Sequence, residues 1–184
     1  KFLLYGVTGS GKTQIYIEMA LKTRALGKQV LILVPEIVLT GQLVASFKEY
    51  FADDVAVIHS RLSVGERNDT FWRIRTKQVS IIIGARSALF APFEDLGLIV
   101  MDEEHDPSYK QDESPRYHSH DIIEKMAEIY HATLIMGSAT PSLESYYKAQ
   151  IGEYVLLKMP NRIDNLPLPY IEGVDMREEL RMGN

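Results

Sequence analysis

Apolar residues along the chain fall into short blocks, and the stretches between the blocks repeat apolar positions at helical spacing. Residues 2–5, 29–34, 55–58, 79–83, 98–101 and 133–136 predict strands. They are rich in Val, Ile and Leu with little polar alternation, the pattern of strands covered on both faces. Residues 12–26, 37–51, 64–77, 119–131 and 141–150 predict helices. Ser63, with Glu66 three residues on, makes a capping box before the third helix. Gly27 stands where the first helix needs a C-cap. In that third helix Trp72, beside Phe71 and Ile74, is expected to pack against the sheet. Strand–helix alternation of this kind predicts right-handed crossovers: an α/β fold with a mostly parallel sheet and helices on both faces.

Two stretches break the alternation. Residues 106–120 are polar, carry Pro107 and Pro115, and predict one long loop. Loops beyond about 12 residues are uncommon and are often functional. Residues 161–184 are polar and charged towards their end. They predict a last edge strand at 170–174 followed by a linker, so that 1–160 form one lobe and 161–184 lead out of it.

Composition changes the picture in three places. The chain has 184 residues, 46% of them hydrophobic and 24% charged, which excludes a disordered chain. It has no cysteine, which excludes a disulfide scaffold and any thiolate-held zinc or iron–sulfur site. With 20 basic and 25 acidic residues the net charge is -5, so any nucleic-acid contact must come from a local patch rather than from bulk charge. No apolar run approaches the roughly 20 residues of a membrane span, and the glycines of residues 6–13 break up any signal-peptide core. The chain opens on Lys1, already in strand-like sequence, which is the expectation for a piece of a longer protein.

Gly6-Val7-Thr8-Gly9-Ser10-Gly11-Lys12-Thr13 fits G-x-x-x-x-G-K-[ST], preceded by an apolar strand and followed by a helix. The glycines let the backbone turn its N–H groups towards phosphate, and the helix N-terminus adds partial positive charge. Lys12 is expected to meet the β- and γ-phosphates of ATP, and Thr13 to hold Mg²⁺. The apolar strand 98–101 runs into Asp102-Glu103-Glu104-His105. Ligands bind at the carboxyl ends of such strands, so Asp102 is a candidate Mg²⁺ holder and Glu103 a candidate base for the attacking water. Gly137-Ser138-Ala139-Thr140-Pro141 follows the next strand. Ser138, Thr140 and His105 are candidates for carrying the nucleotide state between the two motifs.

In this order, phosphate loop, D-E-E-H and S-A-T, the chain resembles the superfamily-two helicases. The segments YGVTGSGKT (5–13), LVPEIVLTGQL (33–43), IIIGARSALFAPF (81–93), LIVMDEEHDPSYKQDESPRYHSHD (98–121) and MGSATPSLES (136–145) make it similar, more narrowly, to the primosomal replication-restart helicases. The likeness covers nearly the whole chain and departs at Gln14, where an acidic residue is expected. It implies a RecA-like P-loop NTPase domain, the first motor lobe of a bacterial, cytoplasmic, nucleoid-associated 3′-to-5′ DNA helicase that assembles the primosome at stalled forks. It implies single-stranded and forked DNA, single-stranded-DNA-binding protein and other primosome proteins as partners, with the zinc site and second lobe elsewhere. It also implies that loop 106–120 senses single-stranded DNA.

The loop residues suit that work. Tyr109, Tyr117 and His118 are of the type that stacks on bases, and Lys110 and Arg116 of the type that meets phosphates. Arg86 is a candidate for the DNA backbone or, equally, for a buried structural role. Thr40 and Gln42 are weaker candidates in a stretch resembling a DNA-tracking motif. Three other readings stay open: a P-loop kinase or transporter ATPase, another DNA-dependent translocase, and a degenerate lobe kept as a docking module.

Overall fold

The computed structural model describes residues 1–39 and 41–163. In chain order the elements are β1 (Phe2–Gly6), α1 (Lys12–Ala25), β2 (Gln29–Leu33), α2 (Gly41–Phe51), β3 (Val55–Ile58), α3 (Val64–Arg75), β4 (Ile81–Gly84) and β5 (Leu96–Met101). After them come β6 (Lys110–Gln111), β7 (Tyr117–His118), α4 (Ser119–Tyr130), β8 (Thr133–Ser138), α5 (Leu143–Gln150) and β9 (Val155–Met159). Seven strands form one sheet in the order β3-β4-β2-β5-β8-β1-β9. Every neighbouring pair in it is parallel.

Both faces of the sheet are apolar because successive residues of each strand point to opposite sides. Leu31 and Leu33 of β2 join a core with Ile74 of α3 and Ile123 and Ala127 of α4. Val30 and Ile32 of the same strand join a second core with Tyr16, Ile17 and Ala20 of α1 and Phe47 and Phe51 of α2. All five residues of β2 are buried. Gln29 is satisfied by hydrogen bonds, and the burial of Val30–Leu33 explains the apolar run after it, each of those side chains contributing about 1.5–3 kcal/mol by leaving water.

Several expectations are corrected here. β9 closes the edge beside β1, a strand the pattern did not announce. Only residues 155–157 of it are apolar before Lys158, and Val155 and Leu157 stay about half exposed, so it lacks the signature of a strand covered on both faces. The strand expected at 170–174 lies outside the described residues, as do residues 164–184 altogether. The second helix starts at Gly41 rather than 37. Val38 and Leu39 instead donate their N–H groups to the Pro35 carbonyl and close a turn. The third helix stops at Arg75, because Lys77 adopts a left-handed backbone (φ 55°). Its Ile74 is buried as expected, but Trp72 is 64% exposed and does not pack on the sheet. Residues 106–120 are more than a loop: they hold a 3₁₀ turn (Pro107–Tyr109) and the antiparallel ribbon of β6 and β7.

For function, the strand order matters most. β5, β8 and β1 are consecutive in the sheet, so the three segments leaving their carboxyl ends emerge side by side.

Candidate functional site

The first of those segments is the phosphate loop. It is shaped by its own backbone. Ser10 N–H donates to the Val7 carbonyl (3.0 Å), and Gly9 and Gly11 take left-handed φ of 80° and 89° that side chains rarely adopt. Gly6 must be small for a different reason: a Cβ there would lie 2.6 Å from Ser10 Oγ. Gly11 caps α1 without a side chain, so the first N–H groups of the helix have no side-chain acceptor. Lys12 is nearly buried, and its Nζ donates to the Gly6 carbonyl at 2.8 Å, across the loop. Ser10 Oγ is buried with no hydrogen-bond partner. Such an orphan in a cradle of backbone donors fits a phosphate ligand, because a buried hydroxyl without a partner costs about 1–3 kcal/mol.

The second segment leaves β5. Asp102 N–H donates to the Leu33 carbonyl of β2 (2.9 Å), which fixes where the carboxylate starts. Asp102 Oδ1 accepts the hydroxyl of Tyr16, one turn into α1, at 2.9 Å. The Asp102 carbonyl accepts the hydroxyl of Tyr109 at 2.7 Å. Burial pushes the Asp102 carboxyl above the ordinary carboxylate range, against the pull of the Tyr16 hydrogen bond and the Lys12 charge. Glu103 is raised as well, first by burial and then by the Asp102 charge, with Lys12 opposing. Glu103 holds a left-handed backbone (φ 46°) without being glycine. That conformation costs on the order of 1–3 kcal/mol and is typical of residues held for function.

The third segment leaves β8. Ser138 Oγ lies 2.8 Å from His105 Nδ1 and accepts the N–H of Thr140 at 2.9 Å, while Thr140 Oγ1 lies 3.4 Å from His105 Nε2. Phosphate loop, acids and S-A-T are thus brought to one place, with His105 bridging the last two. The donor set suits Mg²⁺, which takes hard oxygen ligands, usually one or two carboxylates plus substrate phosphates. Among the described residues there is no cluster of three or more His, Asp or Glu able to hold a metal by itself.

Glu104, which the sequence did not single out, is a buried hub. It accepts Ser142 N–H (2.7 Å), Ser142 Oγ (3.0 Å) and Ser145 Oγ (2.8 Å), and His120 Nε2 lies 2.8 Å away. Burial alone would raise its pKa, but these partners hold it below the ordinary range. Tyr16 was also missed, as was the stretch after β9. Val7 N–H donates to the carbonyl of Met159, the last residue of β9, and Ile163 N–H beyond it to Gly9 O, so 159–163 border the phosphate loop. No local motif announces these residues, because each acts through a partner distant in the chain.

Of the DNA candidates, Lys110, Arg116, Tyr117 and His118 line one cleft on the β6–β7 ribbon, with Arg86 against Tyr117, while Tyr109 is withdrawn from it. Tyr109 is 1% exposed, anchored to Asp102, and its carbonyl takes Ser119 Oγ (2.7 Å). It offers no face to a base. Arg86 Nη1 donates to the carbonyls of Ser108 (3.1 Å) and Lys110, so it straps the loop rather than pointing away from it. Tyr117 is half-buried edge-on to Phe90 and beside Arg86. His118, also half-buried, caps α4 and lies 2.9 Å from His120. Lys110 and Arg116 are exposed, paired with the Asp112 carboxylate and carbonyl respectively. A cleft of about 500 Å³ opens beside Glu104, His118, His120 and Lys110, and no phosphate-loop residue lines it. Thr40 and the side chain of Gln42 lie outside the described residues.

Known proteins resemble the chain in sequence and in fold. Residues 1–149 match the DEAD/DEAH box helicase family. The replication restart protein PriA of Bacillus subtilis (strain 168) is 54% identical over 183 residues, covering 100% of this chain and 23% of that protein. The chain thus spans about a quarter of the length of the curated relatives it matches. Among solved structures, the Pyrococcus furiosus Hef helicase domain superposes with a TM-score of 0.64 at 21% identity, covering 95% of this chain and 38% of that one. RecG bound to a three-way DNA junction gives 0.62 at 22% identity, covering 94% and 22%. No helix among the described residues is long and apolar enough to cross a membrane.

Proposed function

Because the chain belongs to the DEAD/DEAH box helicase family, whose members use ATP and Mg²⁺, we propose that it is the nucleotide-binding lobe of an ATP-dependent 3′-to-5′ DNA helicase that restarts replication at stalled forks. Residues 1–160 make the lobe, and 161–184 lead towards a second one. The name of the relatives and the DNA junction bound by RecG support this reading. Single-stranded and forked DNA, single-stranded-DNA-binding protein and other primosome proteins are the partners it implies, in the bacterial cytoplasm near the nucleoid.

Within the lobe, residues 6–13 wrap the phosphates and Lys12 leaves the Gly6 carbonyl to meet them. Thr13 and Asp102 hold Mg²⁺, which supplies charge neutralisation on the phosphates when bound. Glu103 orients the attacking water and accepts its proton. His105, Ser138 and Thr140 sit where a change at the γ-phosphate can be passed to β8 and α5.

One observation carries the reading: α1, whose N-terminus is the phosphate cradle, reaches Asp102 through Tyr16 at 2.9 Å. The helix that opens on the phosphate loop and the acid that ends β5 are therefore neighbours, and the Lys12 charge is felt by both Asp102 and Glu103. Titration of fluorescent ADP with and without Mg²⁺ tests it. Lys12→Ala should weaken binding in both conditions by about 1.5–3 kcal/mol, the range for hydrogen bonds to charged groups. Asp102→Ala should weaken it only with the metal present. Unchanged affinity in Lys12→Ala would leave the docking-module reading standing. The 184-residue chain alone should hydrolyse ATP at a near-zero rate that DNA does not stimulate, since a transition-state arginine from a second lobe is worth roughly 10³–10⁵ in rate.

A further inference from the structure

Tyr16 is the least expected residue at the site. It lies three positions beyond Thr13, on the same face of α1 one turn on. Its ring is 1% exposed, packed in the core shared by α1, α2 and the sheet. A tyrosine in an apolar core needs an acceptor for its hydroxyl, and Tyr16 finds it in Asp102 Oδ1 at 2.9 Å. The hydroxyl also passes directly over Gly137. A Cβ on Gly137 would clash with it, would lie 3.0 Å from Tyr16 Cζ and would be 3.4 Å from Asp102 Oδ1. The glycine before Ser138-Ala139-Thr140 is thus a gap through which α1 touches the acid.

We propose that Tyr16 is the positioning residue for the metal-holding carboxylate: its hydroxyl, threaded past Gly137, fixes the orientation of Asp102 so that an Asp102 oxygen is presented to Mg²⁺ beside the phosphate loop. This deepens the Mg²⁺–nucleotide reading above and rests on it. The physical need is plain. The terminal torsion of an aspartate is broad and roughly two-fold, so burial alone does not select one orientation. The Glu103 N–H of the same turn also bonds the carboxylate, and a donor from a rigid, fully packed ring on another element sets its direction. Partners of metal ligands act in this way elsewhere, and their loss typically costs 10–100-fold in metal affinity. The same hydroxyl joins the three segments of the site. It is carried by the phosphate-loop helix, bonded to the acid after β5, and seated on the glycine at the end of β8.

The test uses the protein at its full natural length and fluorescent ADP, titrated in Mg²⁺ and in EDTA. The readout is the ratio of the two affinities, the gain due to metal. In Tyr16→Phe the ring stays and the hydroxyl goes. The gain should fall roughly tenfold while the affinity in EDTA matches wild type. A merely structural role predicts equal loss in both conditions, and that result, or a wild-type gain in a folded Tyr16→Phe protein, overturns the proposal. Gly137→Ala gives an independent reading. It should abolish most of the gain by expelling the hydroxyl, and adding Tyr16→Phe should make the alanine less damaging to thermal stability. Gly137→Ala with a wild-type gain would also overturn it. Should wild type show no gain from Mg²⁺ at all, or Lys12→Ala bind ADP as well as wild type does, the nucleotide-site reading itself fails. A wild-type gain that is insensitive to Tyr16 sinks only the positioning role.

Discussion

The phosphate loop and residues 106–118 border the same acidic turn, yet opposite means hold them. The loop is shaped by main-chain groups and glycine dihedrals, with Lys12 donating to Gly6 of the same eight-residue motif. The 106–118 segment is tied down by side chains from distant places. Tyr109 bonds to Asp102, Ser119 of α4 to the Tyr109 carbonyl, and Arg86 to two loop carbonyls. A cradle built from backbone is ready before any ligand arrives. The buried Tyr109 ring anchors the 106–118 segment. Its outer part, the β6–β7 ribbon, depends on its own pairing and the Arg86 donations, and hydrogen bonds of about 1 kcal/mol net each are made or released by modest forces. That is the property a segment needs if it is to report DNA to an ATP site.

The sharpest way to break this contrast is Tyr109→Ala. If the ring is packed under the acidic turn, its removal should cost about 3–5 kcal/mol in denaturant unfolding, the range for a buried aromatic truncated to alanine. Tyr109→Phe should cost about 1 kcal/mol, the hydroxyl alone. A wild-type midpoint for Tyr109→Ala would mean that the ring faces outwards after all, as a base-stacking residue would.

Arg86→Ala should have a smaller and local effect. Losing the two donations to the loop should loosen residues 108–111 by about 1 kcal/mol, since the group is partly exposed. Hydrogen exchange should rise in that stretch and in β7, with the phosphate loop left as protected as before. Equal loss of protection in both regions would show that they are one mechanical unit.

The contrast also explains what could be read without coordinates. Residues 6–13 were legible because their job depends on backbone shape, which glycine spacing announces. β2 was legible because burial on both faces leaves an unbroken apolar run. β9 was not, since an edge strand with half-exposed Val155 and Leu157 carries no such run. Tyr109 looked like a surface aromatic in a polar loop. Its burial depends on Asp102 seven residues back and on Ser119 ten residues on, partners that spacing does not reveal. Glu104 was hidden for the same reason: a third carboxylate in an acidic run becomes a hub only because α4 and α5 bring His120, Ser142 and Ser145 to it.

A last prediction separates stability from the site. Glu124 of α4 takes Lys148 of α5, Tyr154 just before β9, and Lys1 just before β1. These are the amino ends of β1 and β9, away from the carboxyl ends where the phosphate loop and acids emerge. Burial would raise its pKa, but the Lys148, Tyr154 and Lys1 partners bring it down to about 2. A depressed carboxyl pKa stabilises the fold above the unfolded value near 4.5, and that contribution is lost as the pH falls towards 2. Glu124→Gln should therefore lower the melting temperature at pH 7, and its deficit against wild type should shrink between pH 4.5 and 2. Affinity for Mg²⁺–ADP at pH 7 should not change. A variant that lost nucleotide affinity in step with stability would mean that the strut at the far end of β1 and β9 is felt by the phosphate loop, and the loop would then be less self-contained than its backbone geometry implies.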